Sequence, residues 1–289
     1  MTMINGIYAA TLSILDANLG LDIKKTIAHA EKVIDKGCHG VVFFGSTGQS
    51  QLISLSEKIS LINNLSSSNY KENFIIGTGL NSLSDTISLM KISMSLGFSK
   101  FLIMPPAYYK YEDQDVFNFY SNIIKVIPKA KIILYNFEKL SGYKFSENIV
   151  YKLVENFPNQ IIGVKDSTYN LFEKLKIENF SLMPGSETKL LKGLELGCSG
   201  IITATTNVTA SLARDVYDNF IDKKKQNFNE KLCKVRAVFE QYNLISGLHT
   251  FFSQNDPDFK NILPPLRILN EKEKSNLLNK LDTLNFNYN

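Results

Sequence analysis

Short apolar runs alternate with amphipathic segments along this chain, and this alternation restricts the possible folds more than any other feature. A continuous apolar run is typical of a strand buried on both faces, and such strands separated by helices form parallel sheets. Eight runs of this kind are present: Gly6–Leu12, Gly40–Phe44, Asn73–Gly77, Lys100–Met104, Lys131–Tyr135, Ile161–Lys165, Ser181–Met183 and Gly200–Thr203. Eight strands, each followed by a helix, predict an α/β fold of the (β/α)8 TIM barrel type rather than an open sheet, which more often has about five or six strands.

Boundary signals support the helical segments. Ser54-Leu55-Ser56-Glu57 and Ser82-Leu83-Ser84-Asp85 each place a hydroxyl three residues before an acidic side chain, as at a helix start. Gly37 and Gly97 follow the ends of two helical periods, where a left-handed residue often ends a helix. The segments between the apolar runs are therefore predicted to be helices.

The pattern changes after the eighth run. A helix over Val208–Phe220 would complete the ring around the barrel, and a longer helical segment near Asn227–Leu248 and another near Glu271–Leu284 follow it. We therefore predict a barrel over residues 1–220 and an additional C-terminal helical extension over 221–289 that packs on the barrel.

Composition and charge argue against two classes of partner, nucleic acids and membranes. With 44% hydrophobic and 21% charged residues and a net charge of +4, the chain resembles an ordinary folded domain. The basic run Lys223-Lys224-Lys225 has no interleaved aromatic residues, so we expect no nucleic-acid partner. Met1–Gly20 lacks the basic region of a signal peptide, and no run approaches the roughly 18 apolar residues of a membrane span, so we expect no membrane association.

The potential metal ligands are scattered. Neither a CxxC motif nor a histidine cluster occurs, so we expect no metal, no disulfide framework and no Ser-His-Asp triad. A reducing, cytoplasmic location fits this cysteine usage best. The residues concerned are Cys38, Cys198, Cys233, His29, His39 and His249.

One lysine occupies an unusual position. Lys165 lies at the carboxyl end of the apolar run that begins at Ile161. It could extend its ammonium to solvent, or it could be needed as a free amine, which is a carbonyl nucleophile. Position alone supports the two interpretations about equally. The second predicts a Schiff-base enzyme, with its active site at the carboxyl ends of the strands.

Other strand ends carry polar residues with two interpretations each. The Gly45-Ser46-Thr47-Gly48 loop could bind a carboxylate through hydroxyls and backbone amides, but spacing alone slightly favours a plain tight turn. Tyr135 could transfer protons beside the lysine, or it could be a half-buried packing residue. Tyr108 and Tyr109 are more often loop packing residues.

Taken together, these residues resemble a known signature. Gly45-Ser46-Thr47-Gly48, Tyr135-Asn136, Gly163-Val164-Lys165-Asp166 and Gly200-Ile201-Ile202 are similar to motifs of the N-acetylneuraminate lyase and dihydrodipicolinate synthase family of pyruvate-dependent class I aldolases. The similarity spans essentially the whole chain. It implies an enzyme, a carbon–carbon lyase, that forms a covalent imine with pyruvate. Such an enzyme needs no cofactor and no metal.

The resemblance also assigns residue roles. It implies that Lys165 forms the imine, that Tyr135 is the phenol beside it, and that Ser46 and Thr47 hold the pyruvate carboxylate. Tyr108 corresponds to a tyrosine that, in many synthase-type members, reaches in from the adjacent subunit and completes a relay with Thr47. The expected assembly is a homotetramer built as a dimer of dimers. Further candidate substrate contacts are the backbone carbonyl of Ile202 and the residues Gly185, Glu187 and Leu140.

The chain departs from the family that it resembles at a position that concerns the second substrate. Synthase-type members usually carry an arginine five residues after the catalytic tyrosine, whereas this chain has Leu140, and Leu140-Ser141-Gly142 is similar to the lyase branch. The resemblance therefore implies a lyase for a 2-keto-3-deoxy sugar acid or a sialic-acid-like compound. One alternative is dihydrodipicolinate synthase, which joins pyruvate to aspartate semialdehyde. Another is a non-catalytic keto-acid-binding regulatory protein. This chain has Ser13-Ile14-Leu15 where the family has Thr-Pro-Phe and Glu138 where the family usually has proline, and these changes leave room for a barrel without turnover.

Overall fold

The computed structural model describes residues 3–288. The strands are β1 (Gly6–Ala10), β2 (Gly40–Phe43), β3 (Phe74–Gly77), β4 (Lys100–Ile103), β5 (Lys131–Asn136), β6 (Ile161–Asp166), β7 (Ser181–Pro184) and β8 (Gly200–Thr203). The helices are α1 (Ile23–Asp35), α2 (Leu55–Leu65), α3 (Leu83–Ser95), α4 (Asp113–Val126), α5 (Glu138–Ser141), α6 (Glu147–Asn156), α7 (Leu190–Glu195), α8 (Thr206–Ile221), α9 (Asn229–Phe239), α10 (Leu244–Phe252) and α11 (Glu271–Thr283).

The eight strands form one parallel sheet in the order β7-β6-β5-β4-β3-β2-β1-β8. The two end strands meet, because the Ser199 amide donates to the Leu182 carbonyl at 2.9 Å. The sheet is therefore a nearly closed barrel surrounded by helices, and the predicted (β/α)8 fold is confirmed. Within the described residues no helix is both long and apolar enough to cross a membrane.

Side chains alternate between the barrel interior and the surrounding helices, as the period of a strand requires. Every strand contributes to the interior cluster, whose buried members include Tyr8, Val42, Ile75, Leu102, Ile133, Tyr135, Ile162, Met183 and Ile202. The intervening strand residues pack outward against helix residues such as Ala30 and Leu61. Both faces are buried, which explains why the strands read as continuous apolar runs.

The predicted element boundaries agree closely with the structure. Each strand lies within two residues of its predicted limits, and β8 matches them. Ser54 and Glu57 form a reciprocal capping box, and the Ser82 side chain accepts from the Asp85 amide. Gly37 and Gly97 adopt φ values of 122° and 91°, which favour glycine.

The prediction of a single long helix near residues 227–248 is wrong. The chain forms two helices there, α9 and α10, and the Asn243 side chain starts the second by accepting from the amides of Ile245 and Ser246 at 3.0 and 3.3 Å. An asparagine side chain competes with helical hydrogen bonding and favours a helix start, so Asn243 is the reason for the break.

The C-terminal helices share a core with the end of the barrel. Leu12 and Val208, which follow β1 and β8, pack with Phe239, Leu248 and Leu277 from three different C-terminal helices. This packing holds α9 and α10 over the carboxyl ends of the strands, where side chains from these helices can reach the barrel mouth.

Candidate active site

Lys165 lies inside the barrel mouth. It is 3% exposed, and in the strand register it lies between Tyr135 of β5 and Met183 of β7. Its Nζ lies 4.3 Å from the centroid of the Tyr135 ring. Among residues 3–288 no carboxylate lies within ion-pair distance of this amine. The amine is therefore held inside the barrel mouth, where it lines a cavity rather than extending into bulk solvent.

The neighbouring Asp166 is not a counter-ion for this amine. Its carboxylate accepts from Asn136 Nδ2 at 2.8 Å and from three backbone amides of the following loop at 2.8, 2.8 and 3.0 Å. Successive side chains of a strand point to opposite faces, so Asp166 points away from Lys165. The aspartate fixes the loop after β6 and thereby one wall of the site.

The Tyr135 phenol connects the lysine to the loop Gly45-Ser46-Thr47-Gly48, here called the glycine loop. Its ring is buried beside Lys165, and its hydroxyl lies 3.0 Å from Ser46 Oγ, where either group can donate the hydrogen bond. A phenol and a hydroxyl in contact can pass a proton between them. The three side chains come from β5, β6 and the loop after β2.

The glycine loop forms a 3₁₀ turn over Ser46–Gly48. Ser13 Oγ donates to the Gly48 carbonyl at 2.7 Å, and a Cβ at Gly48 would lie 2.9 Å from the Thr11 carbonyl oxygen. Ser13, one of the residues that depart from the family pattern, therefore still supplies a hydroxyl that supports this loop. Gln49, which follows this loop, is buried, accepts from the Leu263 amide at 2.8 Å and contacts His249 Nε2 at 3.4 Å.

Lys165, Tyr135 and the two hydroxyl-bearing residues of the glycine loop line one cavity of about 690 Å³. It brings together most of the site residues predicted from the sequence, namely Ser46, Thr47, Tyr135, Lys165 and Gly185. Gly185 packs closely on Ser167, because a Cβ there would lie 2.2 Å from Ser167 Oγ and 3.2 Å from Ser167 Cα. No group of three or more potential metal-ligating side chains occurs in the described part of the chain.

Four predicted site residues do not line this cavity. Ile202 is buried in the interior cluster of the barrel. Glu187 is fully buried, and its carboxylate accepts from Thr203 Oγ1 at 2.9 Å and pairs with Arg236 Nη1 at 3.0 Å. Glu187 is thus placed to orient Arg236 rather than to touch a substrate.

Leu140 and Tyr108 lie further out. Leu140 lines a neighbouring, mainly apolar cavity of about 360 Å³, which shares Ser46 and Tyr135 with the first. The Tyr108 side chain is 90% exposed, its backbone φ is 89°, and its ring contacts Tyr109 edge to face. Tyr108 therefore does not reach the lysine cavity of its own chain.

Sequence reasoning missed Arg236, which lines the lysine cavity from α9 and is 4% exposed. Its Nε donates to Glu240 at 2.8 Å, and its Nη1 lies at 2.9 Å from the hydroxyls of Thr203 and Thr205. Burial lowers the pKa of the guanidinium, but Glu187 and Glu240 outweigh burial and raise the pKa. The only sequence signal is a spacing of four residues from Glu240, which equally fits a surface ion pair.

A parallel barrel with a buried lysine and a neighbouring phenol in a cavity at the carboxyl ends of its strands has the architecture of a barrel enzyme with its active site at that end. The model of the dihydrodipicolinate synthetase family matches residues 3–284. The chain belongs to this family, and it is a pyruvate-dependent lyase of the class I aldolase type.

Relatives in this family carry two kinds of name. The chain is 28% identical to a DapA-like lyase of Chloroflexus aurantiacus over 74% of each chain. It is 27% identical to the 4-hydroxy-tetrahydrodipicolinate synthase of Prochlorococcus marinus over 83% of this chain and 82% of that one.

Solved structures share the fold. YagE, a prophage protein of the dihydrodipicolinic acid synthase family from E. coli K12 whose structure contains pyruvate, has a TM-score of 0.90 at 21% identity and covers 99% of this chain and 100% of its own. The dihydrodipicolinate synthase DapA-2 of Bacillus anthracis has a TM-score of 0.89 at 24% identity, with 98% and 99% covered.

Proposed function

We propose that Lys165 forms an imine with pyruvate and that the enzyme cleaves or forms a carbon–carbon bond at pyruvate C3, acting on a 2-keto-3-deoxy sugar acid or a sialic-acid-like compound. The observation that carries this proposal is the buried Lys165 amine, 4.3 Å from the Tyr135 ring in a cavity with the hydroxyl-bearing glycine loop. The pyruvate bound to YagE, which shares this fold, is consistent with it.

In the cleavage direction the amine of Lys165 adds to the C2 ketone of the substrate, and water leaves to give the protonated imine. The C3–C4 bond then breaks, and its electron pair moves into the imine to form an enamine. The C4 hydroxyl loses its proton and becomes the aldehyde product. Protonation of the enamine at C3 and addition of water release pyruvate and restore the lysine. Tyr135 and Ser46, whose hydroxyls lie 3.0 Å apart, transfer these protons.

The keto-acid carboxylate binds at the glycine loop in this proposal. Ser46 and Thr47 supply hydroxyls, and the turn supplies backbone amides, which together favour an anion. The Ile202 carbonyl and Gly185 would complete the surroundings of the imine. This arrangement holds C2 of the substrate near Lys165, as attack on the ketone requires.

The second substrate is assigned from the absence of a cation at residue 140. Leu140 offers no partner to a carboxylate-bearing aldehyde, whereas a bidentate charged contact would contribute about 1.5–3 kcal/mol. We therefore favour the lyase over 4-hydroxy-tetrahydrodipicolinate synthase, the name that several relatives carry. Lys139, which lines the lysine cavity, is the replacement cation to test if the synthase reaction occurs.

The proposed working unit is a cytoplasmic homotetramer, with Tyr108 completing the site of an adjacent subunit. The exposure of the Tyr108 ring and the apolar cavity beside Ser46 and Tyr135 support this part of the proposal. Ala107, directly before Tyr108, lines that cavity, so the loop after β4 borders the region that a partner's ring would enter.

Borohydride reduction with pyruvate, followed by peptide mapping, tests the imine. One reduced pyruvyl group should appear on Lys165, and Lys165→Ala should lose both the label and turnover. Lys139→Ala is the matched control, since this lysine lines the same cavity, and its label should remain on Lys165. Labelling of another lysine, or none, would exclude the mechanism. A pyruvate-release assay over a panel of sugar acids, set beside condensation with aspartate semialdehyde, then separates lyase from synthase and both from a non-catalytic binder.

A further inference from the structure

Arg236 presents an unpaired nitrogen at the cavity. Its Nε and Nη1 donate to Glu240, Glu187 and the hydroxyls of Thr203 and Thr205. Within residues 3–288 its Nη2 has no hydrogen-bond acceptor, although the side chain is almost fully buried and lines the cavity that contains Lys165. This nitrogen is not one of the fully buried unpartnered atoms of the described residues, so it is open to the cavity, where water or a ligand can accept its hydrogen bonds.

Glu240 presents an acceptor beside it. One oxygen of this carboxylate accepts from Arg236 Nε at 2.8 Å, while its other oxygen has no partner among the described residues. Glu240 also lines the cavity. The pair therefore offers a molecule in the cavity two donor hydrogens and one acceptor side by side.

The local charge determines which group suits this pair. Arg236 is flanked by two carboxylates, Glu187 at 3.0 Å and Glu240 at 2.8 Å, so its positive charge is already compensated. A further carboxylate would meet Glu240 as a like charge in a partly buried site. A hydroxyl carries no charge, can accept from Nη2, and can donate to Glu240.

We propose that Arg236 and Glu240 bind hydroxyl groups of the second half of the substrate, and that they select sugar acids whose distal end is an alcohol over those whose distal end is a carboxylate. This inference rests on the proposed function, because it assigns the part of the substrate beyond the imine. Thr203, Thr205 and Glu187 hold the guanidinium in one orientation, so Nη2 is positioned before the substrate binds.

The experiment compares two six-carbon 2-keto-3-deoxy acids that share a skeleton, one ending in a CH2OH group and one ending in a carboxylate. Pyruvate release is measured for wild type, Arg236→Lys and Glu240→Gln. Glu230→Gln is the control, because Glu230 forms a surface ion pair on the same helix, with Lys234, and lies outside the cavity. Borohydride trapping of pyruvate at Lys165 is measured in every protein.

Wild type should prefer the alcohol-ended acid. Arg236→Lys removes Nη2 and should raise KM for that acid by about tenfold or more, with a smaller effect on kcat. Glu240→Gln removes the negative charge, so the preference over the carboxylate-ended acid should shrink by about tenfold, while Glu230→Gln should match wild type.

Each outcome has one meaning. If pyruvate is trapped at Lys165 but both variants keep the wild-type preference, or wild type prefers the carboxylate-ended acid, the roles of Arg236 and Glu240 are refuted and the imine mechanism stands. If wild type traps no pyruvate, the proposed function itself is refuted. If Arg236→Lys fails to fold because Glu187 loses its partner, Glu240→Gln decides, since the Glu240 side chain is partly exposed.

Discussion

His29 should make this protein sensitive to mild acid. The imidazole is buried, its Nε2 lies 2.9 Å from Asn207 Oδ1, and its ring lies edge-on against Phe252 and Phe259. Burial, opposed by the bond to Asn207 and assisted by the nearby His249, lowers the pKa of His29 from 6.5 to about 4. The native state therefore holds this ring neutral at a pH where the unfolded chain protonates it.

The sign and the size of the effect follow from this pKa difference. Between pH 6.5 and 4 the unfolded state binds more protons than the native state, so the free energy of unfolding falls as the pH falls. One pKa unit corresponds to about 1.4 kcal/mol. Relative to neutral pH, the pKa difference of His29 therefore lowers the free energy of unfolding by about 2 kcal/mol at pH 5 and by about 3 kcal/mol at pH 4. This is a large part of the stability of an ordinary domain.

His29→Leu isolates this contribution. Leucine does not titrate, and Asn207 Oδ1 keeps a second donor, the Leu12 amide at 3.3 Å. The free energy of unfolding of both proteins should be measured by urea denaturation at pH 7, 5 and 4. Groups that titrate in both proteins cancel in the difference. Whatever the offset at pH 7, wild type should lose about 3 kcal/mol more than the variant by pH 4. Parallel pH curves for the two proteins would refute the reasoning.

Two further predictions concern Lys58 and Tyr108. Lys58 is fully buried, donates to the Thr78 carbonyl at 2.9 Å, and has a pKa lowered by burial to about 8, so its native state loses the proton before the unfolded chain does. Between pH 8 and 10.5 the stability of wild type should therefore rise by up to about 3 kcal/mol relative to Lys58→Met in urea denaturation, and a constant difference would contradict this. Tyr108→Phe should lower turnover without changing assembly, and mixing it with Lys165→Ala subunits should restore activity, because one site of each mixed dimer then carries neither defect. No recovery after verified subunit exchange would place the Tyr108 hydroxyl in its own chain or outside the reaction.

The local sequence pattern predicted most of the barrel architecture. Strands buried on both faces must be apolar along their length, so β1 to β8 were recognisable without the structure, and β8 matches its predicted limits at Gly200–Thr203. Lys165 stood out because it is a cation at the end of such a run. The glycine loop and Tyr135 were placed with it because parallel strands end on one side of a barrel.

The C-terminal extension was predicted less well. The apolar period runs through residues 240–243 without an obvious interruption, and the break depends on one side-chain cap at Asn243. The helices pack on the barrel through contacts far apart in sequence, such as Leu12 with Phe239. A local pattern does not contain such contacts.

Arg236 shows the same limit within the site. Two oppositely charged pairs four residues apart lie on or at the end of α9, namely Arg236–Glu240 and Glu230–Lys234. Their sequence spacing is the same, so the sequence alone does not distinguish them. Only tertiary packing buries Arg236 in the cavity wall, with Glu240 lining the same cavity, and leaves the second pair in solvent. The strand ends were determined by sequence because burial and periodicity are local properties. The other groups that line the cavity around Lys165 were decided by the tertiary structure, because they depend on which distant helix face closes over the barrel mouth.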